Sequence, residues 1–162
     1  MYLLVIILGM CLVYFVLFFL FPLFFKQTLP PLKYLSVRSL GLILLLSLII
    51  MTLSVNIADR ELNNRIIHTF GGGFLTFFIC FLAVKDTRIS ITKFQFFVLS
   101  FLIVTALGVM NEIAEFVLQN YAQFAFARNV NDTWFDLTSN AAGALIASVC
   151  FVPFVRTIKK SS

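Results

Sequence analysis

Seven acidic residues occur in this chain, and four of them sit in or beside runs of residues that otherwise belong in oil. Glu112 and Glu115 are one helical turn apart, as are Asp132 and Asp136, and the chain's single histidine, His68, lies well upstream. Carboxylates at steps of three and four fall on one helix face and can present oxygen atoms to a hard cation such as magnesium or manganese. That chemistry assigns Glu112, Glu115 and Asp136 as metal ligands. Asp132 serves as ligand or base, and His68 as ligand or general acid and base. Arg65 and Arg128 supply the forked donors that suit a phosphate, and Asn140 a neutral binding group. Without a metal, crowded carboxylates would share protons and could relay them.

Each residue also has a structural reading. Glu112 and Glu115 would pair with Arg65 or Arg128 and lock helices together. Asp132 would be a loop residue or a helix N-cap, and Asp136, one turn later, would suit the positive end of a helix. His68 would be a hydrogen-bonded packing residue. The run Gly71-Gly72-Gly73 reads as a close helix contact before it reads as a ligand cradle. Taken singly these readings favour structure. Taken together, four acids exceed the bases near them, and the set reads as a site. Other chemistries are excluded by what is missing. There is no Gly-x-Ser-x-Gly elbow, and the triple glycine lacks the lysine of a phosphate loop. Cys11, Cys80 and Cys150 lie in apolar runs without metal spacing, and serve as packing residues.

The elements that must hold these residues follow from composition. Of 162 residues, 61% are hydrophobic, 21 are phenylalanine and only 12% are charged. A soluble fold of this size cannot hide that much apolar surface, so lipid is the solvent and the bilayer the first partner. The length suits one domain, residues 1–162. Five apolar segments are long enough to span, or nearly so: Tyr2 to Phe25, Leu40 to Val55 with a possible extra turn from Ser36, Ile66 to Val84, Phe94 to Leu118, and Phe135 to Val155. They are continuous rather than alternating, which predicts an all-α bundle of about five transmembrane helices. The first segment lacks a basic leader and is too long for a signal peptide, so it is expected to be a retained span.

Net charge of +5 does not point to nucleic acid, because the basic residues sit in short connections. Lys26, Lys33, Arg38, Lys85, Arg88, Lys93, Arg156, Lys159 and Lys160 fall on one side, against Arg60, Arg65 and Arg128 on the other. The positive-inside rule then predicts an outside N-terminus and a cytoplasmic C-terminus. Helical spacing groups Arg65, His68 and Gly72 on the third helix. It groups Thr105, Gly108, Glu112, Glu115 and Gln119 on the fourth, and Asp132, Asp136, Asn140 and Gly143 on the fifth. All three stripes converge on the outer half of the membrane.

The pattern His68, Glu112-x2-Glu115, Arg128, Asp132, and Asp136 followed by Asn140 and Gly143-Ala144 resembles the VanZ-like membrane proteins and the related YjdF-like inner-membrane proteins. The resemblance covers Arg65 to Val155. At Glu115 the chain is similar to the YjdF-like group, since VanZ-like proteins often carry Gln there. The resemblance implies a multi-pass protein of the bacterial cytoplasmic membrane and cell envelope, and supports these site residues rather than a reaction. Three functions compete. One is metal-assisted chemistry or binding on a lipid or lipid-linked envelope substrate. The second is a structural or accessory subunit whose charges lock the helices. The third is a small ion-coupled transporter, for which homo-oligomerisation would have to complete the pathway, since no inverted repeat is present.

Overall fold

The computed structural model describes residues 2–122 and 130–155. All regular structure among them is helical: α1 (Tyr2–Phe24), α2 (Val37–Val55), α3 (Arg60–Ile66), α4 (Thr76–Thr87), α5 (Lys93–Ala122) and α6 (Val130–Phe151). A π-helical segment, Ile67–Leu75, joins α3 to α4 without a break, and short 3-10 turns occupy Leu32–Tyr34 and Val152–Phe154. Five helices are long and apolar enough to cross a membrane, with α3, the π segment and α4 forming one of them from Arg60 to Thr87. This is the multi-pass helical architecture expected.

The boundaries differ from expectation where a polar cap outweighs hydropathy. Segment 56–65, read as a loop, is helical from Arg60 onward. Asp59 accepts hydrogen bonds from the Glu61 and Leu62 amides at 2.9 and 3.1 Å and starts α3 six residues before the apolar run. Ser36 caps α2 by accepting from the Ser39 amide, so the extra turn is present. A reciprocal pair starts α5: the Gln95 amide donates to Thr92 Oγ1 at 3.1 Å, and the Thr92 amide to Gln95 Oε1 at 3.0 Å. The last span begins at Val130, so Asp132 lies in the first helical turn rather than in a loop or at a cap.

The third span is the centre of the bundle. Half of its apolar window is buried, against 28% for each of the other four. Its lower part, α4, packs Phe77, Ile79, Cys80, Leu82 and Ala83 against Tyr14, Leu17, Phe18 and Phe21 of α1 and Phe96 of α5. The α1 residues follow steps of three and four, which is one helix face. Leu8, Leu12 and Leu23 remain exposed. In hydrocarbon such leucines carry no penalty, so α1 needs no polar face. Aromatic rings tie α4 to α6: Phe151 meets Phe78 at 4.8 Å and Phe81 at 5.3 Å between centroids.

One carboxylate is held within this apolar half. Asp86 Oδ2 accepts hydrogen bonds from Tyr14 Oη and Ser39 Oγ, each at 2.6 Å. The two hydroxyls tie α1 and α2 to the end of α4, each charge-assisted bond contributing about 1.5–3 kcal/mol. At the same end Gln27 clamps Ser90, donating to its carbonyl at 2.9 Å and accepting from its amide at 3.0 Å.

Candidate functional site

At the other end of the third span the polar residues gather. His68 is about 28 Å along the helix from Thr87, and Glu112 about the same distance from Lys93, taking 1.5 Å per residue. Both therefore lie across the bundle from the basic connections around Lys85 and Lys93. One ligand atom from each of His68, Glu112 and Asp136 lies within 4.8 Å of the others. His68 Nε2 stands 3.4 Å from Asp136 Oδ2. The other Asp136 oxygen, Oδ1, accepts from Asn64 Nδ2 at 2.7 Å. Glu112 is 8% exposed, and its Oε1 has no hydrogen-bond partner among the described residues. Thr133, one turn into α6, lies beside the Glu112 carboxyl.

Small residues make this convergence possible. The buried ridge of α5 is Phe96, Ser100, Val104, Gly108 and Glu112, a strict step of four. Gly108 lets α6 approach: a Cβ there would stand 2.9 Å from Asn140 Nδ2. Across the gap a Cβ on Gly72 would strike Asn140 Oδ1, and one on Gly73 would strike the Asn140 carbonyl oxygen. Asn140 is therefore enclosed between glycines of two helices and 3% exposed. The glycine run is a close helix contact, and it holds α6 in the register that aims Asp136 at His68.

The wide π turns supply the remaining freedom. π-helical turns inside α-helices are rare and cluster at functional sites. Here they run from Ile67 to Leu75 and contain His68 and all three consecutive glycines.

Outside the buried trio a cleft of about 200 Å³ opens, lined in part by Arg60, Asn63, Asn64, Glu115, Asp132 and Asp136. Glu115 Oε1 accepts from Asn111 Nδ2 at 2.8 Å. Asp132, in the first turn of α6, complements the positive end of that helix. The tightest group thus holds His68 where the expected ligand trio had Glu115, and places Glu115 at the mouth. Arg65 pairs with Glu61 and covers the Phe135 ring at 4.2 Å. It is no counter-ion for Glu112 or Glu115. Arg128 lies outside the described residues. Thr105, grouped by spacing with Glu112, is exposed and bonds the Phe101 carbonyl instead.

A nitrogen and two carboxylates on three separate spans make a group that could hold a metal ion. Ligand atoms around an ion at about 2.0–2.2 Å stand roughly 3–3.5 Å apart, so side-chain rotation would close this trio around one. The open side would face the cleft.

The family described as "Predicted membrane protein (DUF2238)" matches residues 2–157. The chain belongs to that family. Its match takes in all five spans and the residues of the trio together. No curated protein and no solved structure is significantly similar to the chain. Family membership and the five spans agree on a multi-pass membrane protein.

Three contributors escaped the sequence reading. Asn64, the partner of Asp136, and Arg60 both precede His68 at steps of four. That stripe becomes visible only once Asp59 is recognised as the helix start. Thr133 lies three residues before Asp136 and faces Glu112 across the interface, a contact that no spacing rule discloses.

Proposed function

We propose that this family member is a cell-envelope protein that holds a divalent cation on His68, Glu112 and Asp136 and uses it on a lipid or lipid-linked substrate. The observation that carries the reading is Glu112, a carboxylate buried in a membrane span with one oxygen unpartnered among the described residues, beside an imidazole and a second carboxylate. An imidazole in the set favours manganese or zinc over magnesium. The ion would polarise a phosphoryl or carbonyl oxygen. Glu115 and Asp132 at the cleft would exchange protons with the reacting group, and Arg60 would meet its negative charge.

The VanZ-like and YjdF-like resemblance of residues 65–155 supports a bacterial cytoplasmic membrane setting. By the positive-inside rule the basic connections support an extracytoplasmic position for the carboxylate end, where a lipid-linked envelope substrate would present its head group. A reporter fused to the C-terminus is expected to be active in the cytoplasm, and activity outside it would reverse the orientation.

The deciding experiment is metal analysis of the detergent-purified chain, loaded with manganese or zinc and then dialysed. One ion per chain is expected, lost in Asp136→Asn and His68→Ala while helicity persists. Glu115→Gln should keep the ion and lose turnover of a lipid-linked substrate. Absence of bound ion in the wild type after loading would overturn the reading. The second reading, a charge lock between helices, is favoured by the Asn64–Asp136 hydrogen bond and the His68–Asp136 contact.

A further inference from the structure

A second cavity lies at the opposite end, and neither the carboxylate site nor the family match accounts for it. It encloses about 1210 Å³ between the turn at Leu32–Tyr34, the end of α4 and the end of α6. Three cations line it, Lys33, Lys85 and Arg88, with one carboxylate, Asp86. Asp86 is engaged by Tyr14 and Ser39. Among the described residues the ion pairs are Arg65–Glu61 and His68–Asp136, so none of the three cations is neutralised by an acid. Two of them crowd one ring: Arg88 stands 5.0 Å and Lys33 5.6 Å from the centre of Tyr34. Three cations against one engaged carboxylate leave the cavity positive, which suits an anion.

Arg88 also occupies a left-handed backbone conformation, φ 55°, at the cap of α4. Glycine takes that place without strain, whereas a residue with a side chain is strained there by roughly 1–3 kcal/mol. The strained backbone places the guanidinium beside Tyr34 at the cavity wall. Apart from Ser36 and Tyr34, the rest of the wall is apolar, with Phe81 and Phe151 partly buried and Phe154 largely exposed. A cationic rim above an aromatic wall, at the end of a membrane bundle, matches a molecule with a phosphate head and hydrocarbon tails.

We propose that this cavity binds an anionic glycerophospholipid of the surrounding bilayer, its phosphate between Lys85, Arg88 and Lys33 and an acyl chain along Phe81, Phe151 and Phe154. The site is independent of the proposed metal centre, and only the choice of leaflet rests on the orientation above.

The test is thermal unfolding of the full chain in a zwitterionic detergent, titrated with phosphatidylglycerol, with phosphatidylcholine or with inorganic phosphate. Phosphatidylglycerol is expected to raise Tm saturably, and phosphatidylcholine and inorganic phosphate to leave it unchanged. In Lys85→Gln/Arg88→Gln, half-saturation should move to concentrations on the order of tenfold higher, as expected from the attraction each cation adds at an anionic lipid surface. Lys93→Gln, an exposed cation at the same end that does not line the cavity, should respond like the wild type. The proposal is overturned by equal responses to both lipids, by a shift from inorganic phosphate alone, or by equal losses in Lys93→Gln and the double variant. If the double variant does not fold, Lys33→Gln takes its place with the same expected direction.

Discussion

Gly143→Ala is expected to destroy the bundle, while Gly71→Ala, made in the same interface region, is expected to leave it intact. A Cβ on Gly143 would overlap the Thr69 carbonyl oxygen and stand 2.8 Å from the Thr69 carbonyl carbon and 2.9 Å from the Phe74 amide nitrogen. All three are backbone atoms, and no rotamer change removes them. Gly73 meets the same contact from the other side, with Gly143 Cα at 2.8 Å and the Ala144 amide nitrogen at 3.0 Å from its would-be Cβ. Overpacking commonly costs about 1–3 kcal/mol, and a clash between two backbones belongs at or above the top of that range. A Cβ on Gly71, by contrast, would first meet Ile50 Cγ2 at 4.0 Å, an ordinary contact. There the lost backbone freedom of the unfolded chain favours alanine by about 0.4–1 kcal/mol. The measurement is thermal unfolding in detergent beside the yield of monodisperse protein. A Gly143→Ala protein that melts with the wild type would mean that the third and fifth spans can separate without loss, and the closeness assigned to them would be wrong.

Glu112→Gln is expected to raise the stability of the metal-free protein and to abolish its stabilisation by manganese or zinc. In the metal-free state Glu112 stands within 4.8 Å of Asp136. Two carboxylates that close either repel or must hold a proton between them, and a neutral Gln removes that cost. Gln keeps the shape without the charge. With the ion present the order reverses, because the wild type gains the binding free energy and the variant does not. A charge lock predicts the opposite sign: Glu112→Gln would melt lower and neither protein would respond to the ion. One pair of melting curves, with and without metal, therefore separates the two readings.

How far the sequence disclosed this arrangement can be judged residue by residue. The spans follow from hydropathy, because lipid imposes one length on every helix. His68, Glu112, Asp136 and Asn140 meet as spacing suggests, since an ionisable group in hydrocarbon has no other place to face. What stayed hidden depends on more than one helix at once. Glu115 reads as a ligand by its step from Glu112, yet the buried ridge of α5 advances by fours, and Glu115 falls to the cleft with Asn111 as its partner. Arg65 reads as a counter-ion by charge, but its nearest acid is Glu61, one turn away on its own helix. The start of α3 was missed because a single capping aspartate outweighs a run of polar residues. The basic cavity was hidden for the same reason as Thr133: Lys33, Lys85 and Phe151 come together only through the tertiary fold.

The π segment has a consequence for how the third span can be altered. Each of its turns takes in more residues than an α turn, so the helix above it and the helix below it run out of phase, as though roughly one residue had been spliced in. One residue of an α-helix corresponds to about 100° of rotation. The upper part can therefore aim His68 at Asp136 while the lower part aims Phe78 and Phe81 at Phe151, two directions that one uniform helix would not serve together. Shortening the glycine run by one residue would heal the helix into uniform α turns and leave its two halves pointing as they do now, because the wide turns already absorb that residue. The wide turns thus work as a register adjuster, and a homologue one residue shorter between His68 and Phe74 would keep the same partners on α6 with a regular helix.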